Sequence, residues 1–495
     1  MLKIELSFCR RLRLIGIFSV FALLLLLPVQ PIFAQPACGD QCLNRSLEWV
    51  INSKFIVNNP SDPIYNNTYP PLGGIFLTYD INKSEFGNRI HIPTAAEYVK
   101  LTADLAQYDH NQNVINDLKL VSDFLMTSVE QINFEGETFA AVAPVWLYND
   151  ERGWTLITEE FYTRDALNVA LALLQAYQVT NNEGYASKAR GLLNSVVVLQ
   201  SFVEKEIQKG DLPDWTSGSL PWILYNYEQQ TNYEATYSDL DLSLTDVVWG
   251  AFTLGYNNFG DKQYLETRDK YFEFIERSYM MTENTPPYPY QFISDRSEGK
   301  LYFANYDTIE RDWGPLKPFT TDMAFYQVLG LFMNENETYK SLGSSFLYNL
   351  SILQNQYYFE DSYYPNGMPV GYGNAILATG QYLVALSLDG ENSEKNQIQD
   401  TIFNNQLYDS SEDGTMVYNG AWEWSPGSRI VESMASVILI HSIITDPSMI
   451  PKTATNTSAT NTFSPINIIV VTLVILATLI VFIFVGLKYR RKSKK

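Results

Sequence analysis

The run DALNVALALLQAY (165–177) is apolar on nearly every side, and the segment after it, NEGYASKARGLLNSVVVLQSFVEK (182–205), has one apolar stripe and one charged face. A helix that is hydrophobic all round is buried, whereas a one-striped helix covers something else. The turn NNEG between them is too short for anything but an antiparallel return. The two segments therefore read as an αα-hairpin with an inner and an outer arm.

The same alternation recurs along the chain. DVVWGAFTLGY (246–256), DMAFYQVLGLFM (322–333), NAILATGQYLVALSL (374–388) and RIVESMASVILIHSII (429–444) are further buried segments. DKQYLETRDKYFEFIERSY (261–279) is another outer one, and the turns NNFG, NENE and DGEN repeat the short return. Apolar periodicity places twelve helices, starting near residues 41, 94, 110, 163, 182, 243, 261, 321, 336, 372, 392 and 428. Residues 41–55 supply an outer helix at the start and 428–446 an inner helix at the end, so pairing those two closes a ring. The inner starts are irregularly spaced, so the repeat is structural and not one of sequence.

Six inner and six outer helices in this order resemble the (α/α)6 toroid of the six-hairpin glycosidase-like superfamily, over about residues 90–449. The resemblance implies an all-α toroid of about twelve helices, with catalytic acids on loops and helix ends around one mouth. An open α-solenoid is the other arrangement that the helix order allows. In a closed ring, long loops feed the inner-helix N-termini, whose free N–H groups and dipoles favour anions.

Three inner starts share a hydroxyl followed by an acid: TRDA (163–166), TDVV (245–248) and TDMA (321–324). Thr is expected to cap the helix and the acid to complement its dipole. Asp246, in the capping-box variant SLTD (243–246), is read in that way. Upstream, Asp239 and Asp241 alternate with Leu240, Leu242 and Leu244, so an extended backbone aims the acids to one side. Glycoside hydrolysis needs two carboxyls, one protonated and one ionised. The candidates are Asp165, Asp239, Asp241 and Asp322, with Glu159, Glu160, Asp312 and Glu423 as second choices.

The long loops concentrate aromatics, the flat partners of sugar C–H faces. Trp154, Tyr162, Trp215, Trp313, Tyr372 and Trp422, with Arg164 and Glu423, are the candidate substrate contacts.

The ends carry a different message. Lys3, Arg10, Arg11 and Arg13 precede the apolar run Leu14–Leu27, and PIFAQ follows, the layout of a secretory signal over 1–35. Ile468–Leu487 is uncharged and long enough to span a bilayer, so residues 466–487 read as a transmembrane helix. The basic tail 488–495 places that end in the cytoplasm by the positive-inside rule. The expected order is signal 1–35, extracellular body 36–449, a Thr/Asn/Ser-rich stalk at 450–465, the membrane span and the tail. Sequons at Asn44, Asn66, Asn82, Asn336, Asn349 and Asn456 all fall in the external part.

The chain carries a net charge of −21; setting aside the leader (four basic residues, one acidic) and the six basic residues of the tail leaves about −30 on the rest. Such a surface is a poor partner for nucleic acid and repels polyuronates. Cys38 and Cys42 are expected to form a disulfide in an oxidising compartment. The histidines His91, His110 and His441 lack the spacing of a zinc motif, so no metal is expected, and Ca2+ has no motif in its favour.

The expected function is carboxylate acid–base cleavage of glycosidic bonds in a carbohydrate chain at the cell surface. Two alternatives stand beside it. One is a non-catalytic glycan-binding or envelope protein on the same fold. The other is a polysaccharide lyase or sugar epimerase, for which His91 and Arg164 are the available groups.

Overall fold

The computed structural model describes residues 40–109, 111–134, 136–212, 214–221, 223–225, 243–279, 291–295, 300–304, 306–307, 312–313, 319–354, 358–363, 368–370, 374–407, 417–418, 421–425 and 427–444. The chain divides into two compact units, Met1–Lys452 and Thr453–Lys495, and every described residue lies in the first. Among the described residues no helix is long and apolar enough to cross a membrane. The expected span at 466–487, the leader and the stalk lie outside them.

Twelve α-helices are described: α1 Asp40–Ile51, α2 Ile92–Asp109, α3 Gln112–Thr127, α4 Thr163–Thr180, α5 Glu183–Lys209, α6 Thr245–Phe259, α7 Lys262–Tyr279, α8 Thr321–Met333, α9 Glu337–Ser351, α10 Ile376–Asp389, α11 Asn392–Phe403 and α12 Ser433–Ile444. The even-numbered helices form the inner wall. Each packs on the next, and α12 returns to α2, so the ring is closed and the open solenoid is excluded. Each inner helix is backed by an outer one: α3 on α2, α5 on α4, α7 on α6, α9 on α8, α11 on α10, and α1 on α12. The closure brings the last described helix, α12, against α1 and α2. It is reinforced where Thr78–Asp80 pairs antiparallel with Ile430–Glu432, in the register Thr78↔Glu432.

The two ends of the ring are built differently. At the short-turn end, outer helices start on side-chain caps. Asn111, Asn182 and Asn336 each accept the N–H two residues on, and Asp261 does the same for Gln263. Left-handed Asn181 and Gly260 end the inner helices there. At the long-loop end, five of the six inner helices follow directly on a short strand, at Arg89–His91, Glu160–Tyr162, Phe319–Thr320, Asn374–Ala375 and Ile430–Glu432. These strands modify the all-α expectation. Segments of two or three residues are too short to show a period of two in sequence.

Inner helices approach closely through glycine. A Cβ at Gly330 of α8 would fall within the van der Waals shell of the Thr245 backbone at the start of α6. The core is apolar and continuous, with Leu167, Phe252, Phe325 and Leu439 fully buried. Cys42 is disulfide-bonded, and its expected partner Cys38 lies outside the described residues.

Candidate functional site at the long-loop mouth

Four inner helices open on a buried hydroxyl: Thr163, Thr245, Thr321 and Ser433. None of the three threonines occupies the cap position expected of it. Thr245 Oγ1 donates to the carbonyls of Tyr326 and Gln327, each at 3.0 Å. Thr321 Oγ1 donates to Glu360 O at 2.6 Å and Ser433 Oγ to Phe76 O at 2.7 Å. Thr163 Oγ1 donates to Pro221 O. The hydroxyls therefore tie each inner start to a neighbouring segment of the rim. The cap positions of α4, α6 and α8 are Tyr162, Leu244 and Thr320, and none makes a side-chain cap bond. Their first-turn N–H groups are left for other acceptors.

Asp246 is likewise no cap. Its two carboxylate oxygens accept from Nη1 and Nη2 of Arg164, each at 2.9 Å. Arg164 Nη1 also donates to Ser243 O at 2.6 Å, and its guanidinium lies 3.4 Å over the centre of the Tyr326 ring. Burial opposes this charge, but Asp246 and then Tyr326 outweigh it and hold the guanidinium more basic than usual. Arg164 is thus a buried structural cation, not the free substrate contact expected from sequence.

Three acids of the mouth, Asp165, Asp322 and Glu432, are displaced upward in pKa. Burial pushes the Asp165 carboxyl to about 7, partly opposed by Arg164. Burial also raises Asp322; the Thr320 hydroxyl and the Met323 N–H pull it back, Asp361 raises it again and Arg164 lowers it. Glu432 is pushed to about 7 by burial, then by Asp361 and Asp322. Asp322, Asp361 and Glu432 therefore form one like-charge group, while Asp165 adjoins Arg164 on α4. Sequence reasoning missed Glu432 and Asp361. Glu432 carries a faint signal, because it adjoins Ser433, the hydroxyl that opens the last inner helix.

The remaining candidates separate clearly. Asp239, Asp241 and Tyr372 lie outside the described residues, as do the side chains of Trp215, Trp313 and Asp312. Tyr162 donates to Glu160 Oε2 at 2.7 Å, and Glu159 is exposed. Trp154 is half-buried against Phe76 and Tyr148. Trp422 is a correction: it is 1% exposed, and its indole N–H donates to Ile402 O at 3.0 Å, so it is core. Glu423 is another, since its carboxylate is taken up by the backbone N–H groups of Gly427 and Arg429.

Behind the Arg164–Asp246 pair, all six inner helices enclose a cavity of about 140 Å³. Lys100 pairs there with Glu97 at 2.7 Å, and His441 Nε2 lies 2.8 Å from Asp104. Asn168 Nδ2 donates to Glu97 at 3.0 Å, linking this column of charge to α4. Among the described residues no group of three His, Cys, Asp or Glu side chains is disposed to hold a metal ion.

A closed ring of six helical hairpins with an acidic mouth is an (α/α)6 toroid in fold. No family model matches the chain, and no curated protein does. Among solved structures the chain is similar to cellobiose 2-epimerase from Bacillus thermoamylovorans, at 12% identity over 82% of this chain and 99% of that one, with a TM-score of 0.52. It is similar to a D-mannose isomerase at 10% identity over 81% and 95%, TM-score 0.52. An alpha-amylase from Clostridium perfringens matches at 11% identity over 81% and 96%, TM-score 0.50. At such identities the likeness shows the fold.

Proposed function

We propose that this chain is a cell-surface glycoside hydrolase whose reaction is run by carboxyl groups at the long-loop mouth. The observation that carries the proposal is the group Asp322, Asp361 and Glu432, in which Glu432 is held protonated up to about pH 7. Glu432 is the general acid and donates its proton to the leaving glycosidic oxygen. Asp322 is the base that orients the attacking water; burial raises its carboxyl, and the Thr320 hydroxyl, the Met323 N–H and Arg164 partly offset that. Burial, and then like-charge repulsion from Asp361 and Asp322, keep the proton on Glu432. The likeness to proteins named as an epimerase, an isomerase and an amylase supports a sugar substrate. The uncharged run 468–487 and the basic tail support tethering at the outer face of a membrane.

The test is to incubate the purified protein with neutral gluco- and manno-oligosaccharides and follow the release of shorter products. Glu432→Gln and Asp322→Asn are each expected to lower the rate by about 10²–10⁴. Binding without any product from the whole panel would instead favour a glycan-binding role.

His91 favours a second reading. Burial, then Arg89, lower its pKa to about 4, so the ring is neutral at the start of α2, with Nδ1 3.0 Å from Thr94 Oγ1. A neutral imidazole there suits proton abstraction from a sugar carbon, as in epimerisation. Deuterium incorporated into recovered sugar from D2O, and lost in His91→Phe, would select that reaction.

A further inference from the structure

Beside the mouth lies a second cavity, of about 90 Å³, that the proposed reaction does not use. Its walls include Phe76, Phe86, Tyr148 and Trp154, with the side-chain amides of Asn66 and Asn88 at the rim. The rings form one connected set. Phe76 stacks on Phe86 at 4.6 Å and meets Trp154 edge-on at 5.6 Å, and Tyr148 lies 5.5 Å from Trp154. The indole N–H of Trp154 is buried and has no hydrogen-bond partner among the described residues. An aromatic wall with a few convergent polar groups is the general character of a small-ligand site.

The segment that forms the rim is strained. Asn66, Asn67 and Tyr69 all have positive φ, at 52°, 57° and 49°, a conformation uncommon for residues other than glycine. Tyr69 is also 63% exposed. Such strain clusters at ligand clamps.

The chemistry of the wall selects the ligand. Flat rings match the C–H faces of a pyranose, and the two amides and the indole N–H match its hydroxyls. Among the described residues no Lys, Arg, Asp or Glu lines the cavity, so an ionic ligand meets no counter-charge from them. Phe76, which lines the cavity, lies two residues before Thr78, which faces Glu432 in the strand pair. We propose that this cavity is a sugar-binding site, distinct from the acid group, that takes one neutral hexopyranose ring. The ring comes either from an external glycan or from an N-glycan on the chain's own sequon at Asn66, which stands at the rim.

Saturation-transfer NMR on the full chain, with methyl β-glucoside, methyl α-mannoside and N,N′-diacetylchitobiose as probes, tests this without requiring turnover. Transfer to at least one probe is expected, kept in Glu432→Gln and weakened about tenfold or more in Trp154→Leu. Asn88→Ala, on an exposed side chain that leaves the core intact, is expected to weaken it in the same direction. Transfer in the unmodified chain identifies an external glycan. Transfer that appears only after Asn66→Gln identifies the chain's own glycan as the occupant. Absence of transfer in both Asn66 forms overturns the proposal, as does transfer unaffected by Trp154→Leu and Asn88→Ala. Absence of hydrolysis by the unmodified chain, with saturation transfer intact, would reject the catalytic proposal and leave this one standing.

Discussion

The guanidinium of Arg164 and the carboxylate of Asp246 face each other through two hydrogen bonds of 2.9 Å, although 82 residues separate them. Both side chains are mostly enclosed, at 10% and 12% exposure. The pair joins the starts of α4 and α6, and Asp246 also lines the lumen cavity. Removing one partner leaves the other charge buried without compensation. Asp246→Ala is therefore expected to cost about 3–5 kcal/mol, whereas the loss of a mere cap costs about 1 kcal/mol. Chemical denaturation separates the two values, and the double variant Arg164→Met/Asp246→Leu should recover most of the loss.

Asp165 and Glu432 titrate at about 7 in the folded protein, above their usual values near 4. Between those limits the native state binds more protons than the unfolded one. Stability is thus expected to be greatest near pH 4 and to fall as pH rises to about 7, as far as these two groups are concerned. Glu432→Gln should flatten that slope in melting curves taken across the range. The hydrolytic rate should fall above about pH 7, where Glu432 loses the proton it must donate.

Thr321 anchors the start of α8 through bonds from its hydroxyl to Glu360 O and Asp361 O, at 2.6 and 3.1 Å. Thr321→Val keeps the shape and removes the donor. The expected cost is about 0.5–1.5 kcal/mol in stability. Because the bond also fixes Asp361 relative to Asp322, the rate should fall more than the melting point implies, while Thr321→Ser should restore both.

Gly330 lets α8 lie against the backbone of Thr245. Gly330→Ala would raise helix propensity, yet overpacking at rigid backbone should dominate, with a loss of about 1–3 kcal/mol. A variant that melts at or above the native temperature would show that α6 and α8 can move apart freely.

The twelve helices were legible because each carries its own period. The fully apolar segments, such as 165–177 and 374–388, identified themselves as inner, and the striped segments as outer. The site was less legible. Asp165 and Asp322 stood out because they adjoin the buried runs, but the same position made Asp246 look like a cap. Asp361 lies in a loop with no period, and Glu432 precedes its helix where a leading acid was sought inside it. Trp422 shows the opposite error: a loop aromatic that resembled a sugar platform is closed in by Phe403 and its bond to Ile402.

The chain alone determined the number, order and sidedness of the helices, because burial writes a local pattern at three- and four-residue spacing. Which charges meet was decided only by closing the ring. The hydroxyls of Thr163, Thr245, Thr321 and Ser433, the Arg164–Asp246 pair and the Asp322–Asp361–Glu432 group all join segments far apart in sequence. A contact of that kind depends on where two helices end in space, and residue spacing along the chain carries no record of it.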